Sequence, residues 1–374
     1  MPSSTCLDPL TSVEEKIAQG ERLSGDDALA LFRSTDLLRV GRLADTVRKS
    51  RCGSDVYFVV NRHINYTNVC RNHCRFCAFS RRPGEADAYT LSVEEVLAKA
   101  REAIDQEATE IHIVGGEHPQ LPYSAVRTMV AEIRAYAPGV HIKAFTASEI
   151  AHFAQMEGLS VPDVLKDLSE AGLNSLPGGG AEILTARVRR QVCPEKISGE
   201  RWIEIHSTAH DMGLKSNATM LYGHVESYQD RVDHLLRIRE AQDRTGGFRA
   251  FIPLAFQPKN TGLSHLPPTT GVDDLKTLAV SRLLLDNFSH IKTYWVMTGL
   301  KLAQVALFFG ADDMHGTVVE EIISLMSGSE FGQAVPKSEL LRMIQDAGRI
   351  PVERDGWYRV MHRYDTAATG GDTR

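Results

Sequence analysis

From Val56 onward the chain alternates between two kinds of hydrophobic pattern. Short runs rich in β-branched and aromatic residues are separated by longer stretches whose apolar positions recur every three or four residues. The short runs predict strands over Val56–Ile64, Glu110–Val114, His141–Phe145, Ser175–Leu176, Asn217–Leu221, Phe248–Pro253, Thr293–Met297 and Thr317–Val319. The longer stretches predict helices over Val93–Gln106, Tyr123–Tyr136, Val161–Ala171, Gly199–Met212, Tyr228–Arg244, Asp273–Asn287 and Lys301–Phe309. Strand–helix alternation implies right-handed βαβ units on a parallel sheet, hence an α/β protein. About eight repeats suggest a (βα)8 TIM-like barrel. The fourth and eighth strands are the shortest, so a partial barrel of six units is the alternative.

Before residue 55 the pattern is helical only. Gly25-Asp26-Asp27 precedes Ala28-Leu29-Ala30-Leu31-Phe32, and Leu37, Leu38, Val40 and Leu43 follow at helical spacing. The expected organisation is a helical segment over 1–54, a barrel with C-terminal elements over 55–364, and a disordered tail over 365–374.

Composition narrows the class. The chain has 374 residues and is 43% hydrophobic, as soluble globular proteins are, and a chain of this size can bury a full core. Lys and Arg number 42 against 48 Asp and Glu, a net charge of −6, which argues against a nucleic-acid partner. The longest apolar stretch, Tyr294 to Gly310, is broken by Lys301, so no membrane span is expected. The N-terminus lacks the basic and apolar regions of a secretory signal. A cytoplasmic protein is the expectation.

Three of the six cysteines, Cys70, Cys74 and Cys77, crowd into one loop, whereas Cys6, Cys52 and Cys193 are scattered. This is no disulfide framework; in a reducing compartment such a group binds metal or does chemistry. The loop directly follows the first predicted strand, where a barrel carries its active site. A cubane iron–sulfur cluster held by protein alone takes four thiolates, so three leave one iron open to a small molecule. Two other readings use the same residues. One is structural zinc completed by His73 or His63. The other is a four-cysteine electron carrier recruiting Cys52 or Cys193.

CxxxCxxC with an aromatic residue before the last cysteine resembles the signature of the radical S-adenosylmethionine (SAM) family. The resemblance implies a 4Fe–4S cluster on Cys70, Cys74 and Cys77, with SAM on the open iron. It also implies that Phe76 packs near the adenine; simple cover for the cluster is the other reading. Gly115-Gly116-Glu117 after the second strand is similar to the family's GGE-like element, whose backbone and carboxylate receive the SAM ammonium. Glycine permits close approach and a carboxylate pairs with an ammonium by charge-assisted hydrogen bonds. Glu182, in Pro177-Gly178-Gly179-Gly180-Ala181-Glu182, binds ribose or places a charge at a helix start. His224 lies in a segment like the family's adenine-contact region and reads equally as an ordinary loop histidine.

Longer strings, among them INYTNVCRNHCRFCAFSRRPGEADAYTLS, HIVGGEHPQLPY, HIKAFTASEI, LPGGGAEI and AQVALFFGADDMHGTVVEE, resemble the aminofutalosine synthase family of radical SAM enzymes. The resemblance spans about residues 55–358. It implies addition of the 5′-deoxyadenosyl radical to 3-[(1-carboxyvinyl)oxy]benzoate in menaquinone biosynthesis, yielding 6-amino-6-deoxyfutalosine, methionine and bicarbonate. The related dehypoxanthine futalosine cyclase is the alternative enzyme. A dianionic small-molecule substrate calls for cationic or donor groups, and His118, Lys143, Thr146 and Asn217 at predicted strand ends are the candidates. A flavodoxin or ferredoxin is the expected electron donor. Arg81-Arg82 beside the cysteines would suit its docking, or is a solvated basic pair. Tyr294 and Trp295 read as core.

Overall fold

The computed structural model describes residues 8–332 and 334–365. Cys6 and positions 366–374 of the expected tail lie outside them.

Among the described residues, eleven strands form two sheets. A seven-stranded parallel sheet runs in the order β2 (Asn61–Asn65), β3 (Glu110–Val114), β4 (His141–Ala144), β5 (Ser175–Leu176), β6 (Lys215–Tyr222), β7 (Phe248–Ala255) and β8 (His290–Ile291). A smaller sheet has the order β11 (Val360–Arg363), β10 (Ile350–Arg354), β1 (Asp55–Val59), β9 (Asp313–Gly316). In the large sheet, helices connect successive parallel strands. Several begin with a reciprocal capping box: Ser92 with Glu95, Thr146 with Glu149, Ser160 with Asp163, Ser227 with Asp230. Alternation along the strands sorts the two faces of the sheet. Ile111, Ile113 and Ile142 are fully buried in the apolar core, each side chain contributing about 1.5–3 kcal/mol by leaving water. The intervening His112 and Lys143 line the barrel's central cavity.

The expected eight-stranded ring is realised differently. The sheet of seven curls, and the gap between its edges is spanned by residues 312–319. This segment bridges β8 through Lys292 and Asp313 and β2 through Arg62 and Val319. It is not a regular eighth strand over Thr317–Val319. Val318 and Glu320 hold positive φ of 43° and 61°, a left-handed backbone that does not continue a β ladder, and His315, at 68°, falls where the register of β9 on β1 shifts. The predicted strand Val56–Ile64 breaks at Val60, because its first half pairs with β9 and β10 and its second with β3. The predicted strand Thr293–Met297 is also displaced. The strand is His290–Ile291, and Trp295–Thr298 is a helical turn whose buried indole donates to the Gly316 carbonyl at 2.9 Å. Aromatic and β-branched composition suggested extension there, and tertiary packing overrides it.

The C-terminal strands plug the lower end of the barrel. Arg354 Nε donates to Asp313 at 2.8 Å, and the Tyr358 hydroxyl donates to the same carboxylate oxygen at 2.8 Å. Trp357 packs edge-on against His141 at 4.4 Å. At the N-terminal end of the chain, helices Pro9–Gln19, Gly25–Arg33 and Leu37–Cys52 pack on the outside, the last two against helix Gly271–Leu284.

Candidate active site

The loop after β2 folds back on itself. The Cys70 N–H donates to the Arg81 carbonyl at 2.9 Å and the Arg81 N–H to the Asn68 carbonyl at 2.8 Å. The Asn68 side chain donates to the Asp87 carbonyl at 2.8 Å. These bonds pin the loop across the upper mouth of the barrel, where Cys70, Cys74 and Cys77 line one wall of a cavity of about 280 Å³. The Glu117 N–H donates to Cys70 Sγ at 3.3 Å. The side-chain nitrogen of Asn72, on the same wall, is buried without a partner.

The donor set fits an iron–sulfur cluster. Among the described residues no three His, Cys, Asp or Glu side chains converge as they would on one metal ion; the three thiols line one cavity, and thiolates that each bind a different iron of a cubane need not converge on a point. Burial pushes the Cys74 thiol well above its ordinary range and the Cys70 thiol up as well. These two unloaded thiols therefore keep their protons at neutral pH, and loading a cluster releases them. Cys193 is buried and Cys52 half-buried, and neither lines the cavity.

Gly115 and Gly116 serve the loop itself. A β-carbon on Gly116 would stand 2.3 Å from the Val69 carbonyl oxygen, and one on Gly115 would stand 2.7 Å from the Tyr66 ring. Beyond them the buried Glu117 carboxylate accepts from the Ser148 hydroxyl and, at 3.2 Å, from Arg71 Nε. Glu149 lies beneath. Its Oε1 accepts from the Tyr66 hydroxyl at 3.0 Å and the Gly115 N–H at 3.1 Å; its Oε2 accepts from the Thr146 N–H at 2.8 Å. Burial pushes this carboxyl up to about 7. The group therefore contributes stability that is complete below its ordinary value of 4.5 and is lost as pH rises through about 7. Glu149→Gln replaces an accepting oxygen by a donating nitrogen facing N–H or O–H groups. It is expected to destabilise the unloaded protein by about 1–3 kcal/mol at pH 5 and to flatten the decline toward pH 8. Thermal unfolding across that range checks both.

Beside the cysteines, Glu182 and Lys196 pair at 2.8 Å, with the Lys196 ammonium 5.7 Å from the centre of the Phe76 ring. Burial alone would pull this ammonium down, but the carboxylate outweighs it and holds Lys196 well above its usual range. Glu182 takes a positive φ of 46° ahead of helix Ala186–Val192, so its charge serves the lysine rather than a helix start. Burial pulls the His224 imidazole down, and its Nδ1 accepts from the Val225 N–H at 2.7 Å, capping its own loop.

The four candidates for substrate contact divide. Lys143 and Asn217 line the cavity, Lys143 with its ammonium 2.6 Å from Glu110. Thr146 lines it too, although its hydroxyl already donates to Glu149 at 2.8 Å and accepts from the Glu149 N–H at 3.3 Å. His118 is turned away: its Nδ1 accepts from the Gln120 and Leu121 N–H groups at 3.0 and 2.9 Å, ordering the turn before helix Tyr123–Tyr136. Sequence reasoning missed Lys196, Glu149 and Ser148, and with them His112 and His315 in the cavity; it weighed His63, which also lines the cavity, only as a zinc ligand. No local signal marks these residues, because each reaches the cavity through a contact distant in sequence.

A cysteine loop, an adjoining Gly-Gly-Glu turn and a curled parallel sheet together define a site of the radical SAM type. Comparison with known proteins agrees. Residues 64–238 match the radical SAM superfamily and residues 245–366 match the CofH/MqnC C-terminal region. The chain is 48% identical to an aminodeoxyfutalosine synthase of Thermus thermophilus, over 95% of its own length and 97% of that protein. It is 46% identical to one of Streptomyces coelicolor, over 94% of each. Identity is 40% to a 5-amino-6-(D-ribitylamino)uracil–L-tyrosine 4-hydroxyphenyl transferase of Methanoculleus marisnigri, over 94% of this chain and 98% of that one. Methylornithine synthase shares the fold at a TM-score of 0.73 with 18% identity, over 91% of this chain and 97% of that one. The chain belongs to the aminodeoxyfutalosine synthase family of radical SAM enzymes.

Proposed function

We propose that this chain joins the 5′-deoxyadenosyl group of SAM to the enolpyruvyl double bond of 3-[(1-carboxyvinyl)oxy]benzoate, giving 6-amino-6-deoxyfutalosine, methionine and bicarbonate in menaquinone biosynthesis. The observation that carries the reading is one cavity lined both by the three cysteines and by the polar, cation-bearing barrel interior, in a chain that matches the synthases along nearly its whole length. Its lining offers polar groups for SAM at one end and for an aromatic dicarboxylate at the other.

Cys70, Cys74 and Cys77 hold the 4Fe–4S cluster. When bound, the cluster supplies the electron that cleaves the C5′–S bond of SAM. The chain's residues bind and orient around that event. Glu117 turns its carboxylate from Arg71 to the SAM ammonium, with Ser148 fixing its other oxygen. Phe76 covers the adenine side, and Glu182, held by Lys196, faces the ribose. Gly115 and Gly116 keep the Glu117 turn against the cysteine loop. Lys143 and Asn217 meet the substrate end. A flavodoxin or ferredoxin delivers electrons at the mouth, where Arg82 is exposed while Arg81 is occupied by Asp87 at 2.7 Å.

The test is anaerobic turnover of the cluster-loaded protein with dithionite, SAM and the enolpyruvyl benzoate, products read by mass spectrometry. Aminodeoxyfutalosine with methionine is expected; methionine and 5′-deoxyadenosine without the adduct would refute the assigned substrate. Glu117→Gln is expected to weaken SAM binding about tenfold or more, the worth of one hydrogen bond to a charged group, with cluster absorbance unchanged. Equilibrium binding of SAM decides it, and an unaltered affinity removes the role from Glu117.

A further inference from the structure

Three histidines that the scheme above leaves unused meet in the interior of the barrel. His63 and His112 sit in mid-strand on β2 and β3 in direct register, and Lys143 on β4 is in register with His112. His315 comes from the spanning segment, its left-handed backbone turning the ring into the same cavity. The ring centres of His63 and His112 lie 4.4 Å apart, and those of His63 and His315 lie 5.8 Å apart. Nε2 of His63 and both ring nitrogens of His112 and of His315 are buried with no hydrogen-bond partner. Buried polar atoms are ordinarily satisfied, and five orphans in one layer point to a ligand that satisfies them. As noted above, the rings do not converge on one metal ion.

The charge around this layer gives the ligand its sign. Lys143 pairs with Glu110, and Arg354 with Asp313, which Lys292 also approaches at 3.9 Å. Burial pulls the Lys292 ammonium down to about 7, so it is the basic group that an incoming anion would hold charged. Burial, with the neighbouring Lys143, pulls His63 down to about 3, so its imidazole is neutral and offers an N–H without the cost of burying another cation. Neutral N–H donors above these buried basic groups suit a carboxylate.

Orientation identifies which carboxylate. The reacting double bond must lie beside SAM at the cysteine end, and the enolpyruvyl carboxylate is bonded to it. The ring's own carboxylate, meta to the ether oxygen, then reaches away from the cysteines into the barrel. We propose that His63, His112 and His315 form the subsite for the benzoate carboxylate of the substrate. The proposal rests on the functional reading above.

The test is calorimetric titration of the cluster-loaded, SAM-bound protein with 3-methoxybenzoate, against its uncharged amide. The parent is expected to prefer the acid at least about tenfold, and His112→Phe and His63→Phe to lose that preference by a similar factor. His112→Gln, which keeps an N–H donor, should recover most of it. Cluster absorbance and SAM affinity at parental values show that the variants are folded. A parent that binds both probes alike, or a His112→Phe variant with undiminished affinity for the acid, would overturn the subsite. Because these titrations need no turnover, a parent that prefers the acid yet forms no aminodeoxyfutalosine supports the subsite while refuting the reaction.

Discussion

A Cys74→Ala variant is expected to purify anaerobically without the brown absorbance of an iron–sulfur protein and to lose turnover altogether. Cys74 is held in the middle of the cysteine wall by the loop's own bonds, with the Cys77 N–H donating to its carbonyl at 3.0 Å and the Arg75 N–H to the Val192 carbonyl at 2.8 Å. No other described cysteine lines the cavity to replace it. Two thiolates cannot hold a cubane that already lacks a fourth protein ligand. Far-ultraviolet dichroism should be unchanged, because alanine keeps the backbone bonds that hold the loop. Cys193→Ala and Cys52→Ala are the informative controls. Both should retain full iron content, whereas a four-cysteine electron carrier would lose iron in one of them. Iron quantitation with activity in the three variants reads the difference.

The second large effect is expected at a residue with no side chain. Gly116→Ala places a methyl group 2.3 Å from the Val69 carbonyl oxygen and 2.9 Å from the Cys70 β-carbon. Neither neighbour is the flexible end of a side chain. The cysteine loop must retreat, carrying Cys70 away from the Glu117 N–H that donates to its sulfur. Overpacking of this kind costs about 1–3 kcal/mol in a core. Here the larger consequence is displacement of a ligand, so cluster occupancy after reconstitution is expected to fall severalfold with turnover. Gly139→Ala, where nothing lies within 4 Å of the new carbon, should leave both at the parent level.

These two positions show what could be read from the chain. The cysteine loop and the Gly-Gly-Glu turn carry their meaning in contiguous residues, and the strands before them, Glu110–Val114 among them, alternate clearly. The upper half of the barrel and the cluster end of the site were therefore legible. What was hidden depends on contacts far apart in sequence. Lys196 meets Phe76 across more than a hundred residues, and a single lysine in a loop gives no sign of it. His112 between two isoleucines reads as a strand residue of either face until the sheet closes. The closing segment could not be placed because β8 spans two residues and the bend after it relies on left-handed residues that composition does not flag. His118 misled for a related reason: a histidine beside a conspicuous turn suggested chemistry, and it orders the turn instead.

The small sheet also sets an order of events during synthesis. Asp55 of β1 pairs with Ile350 of β10, 295 positions later in the chain (350 − 55). At ~5–20 residues per second, β1 leaves the ribosome roughly 15–60 s before its partner exists. Through that interval the cysteine loop is already outside while the barrel lacks both its spanning segment and its lower plug. The nascent thiols are thus open to oxidants and stray metals before the fold can bury them. Loading of iron and sulfide belongs after chain release, and slower translation lengthens the exposure.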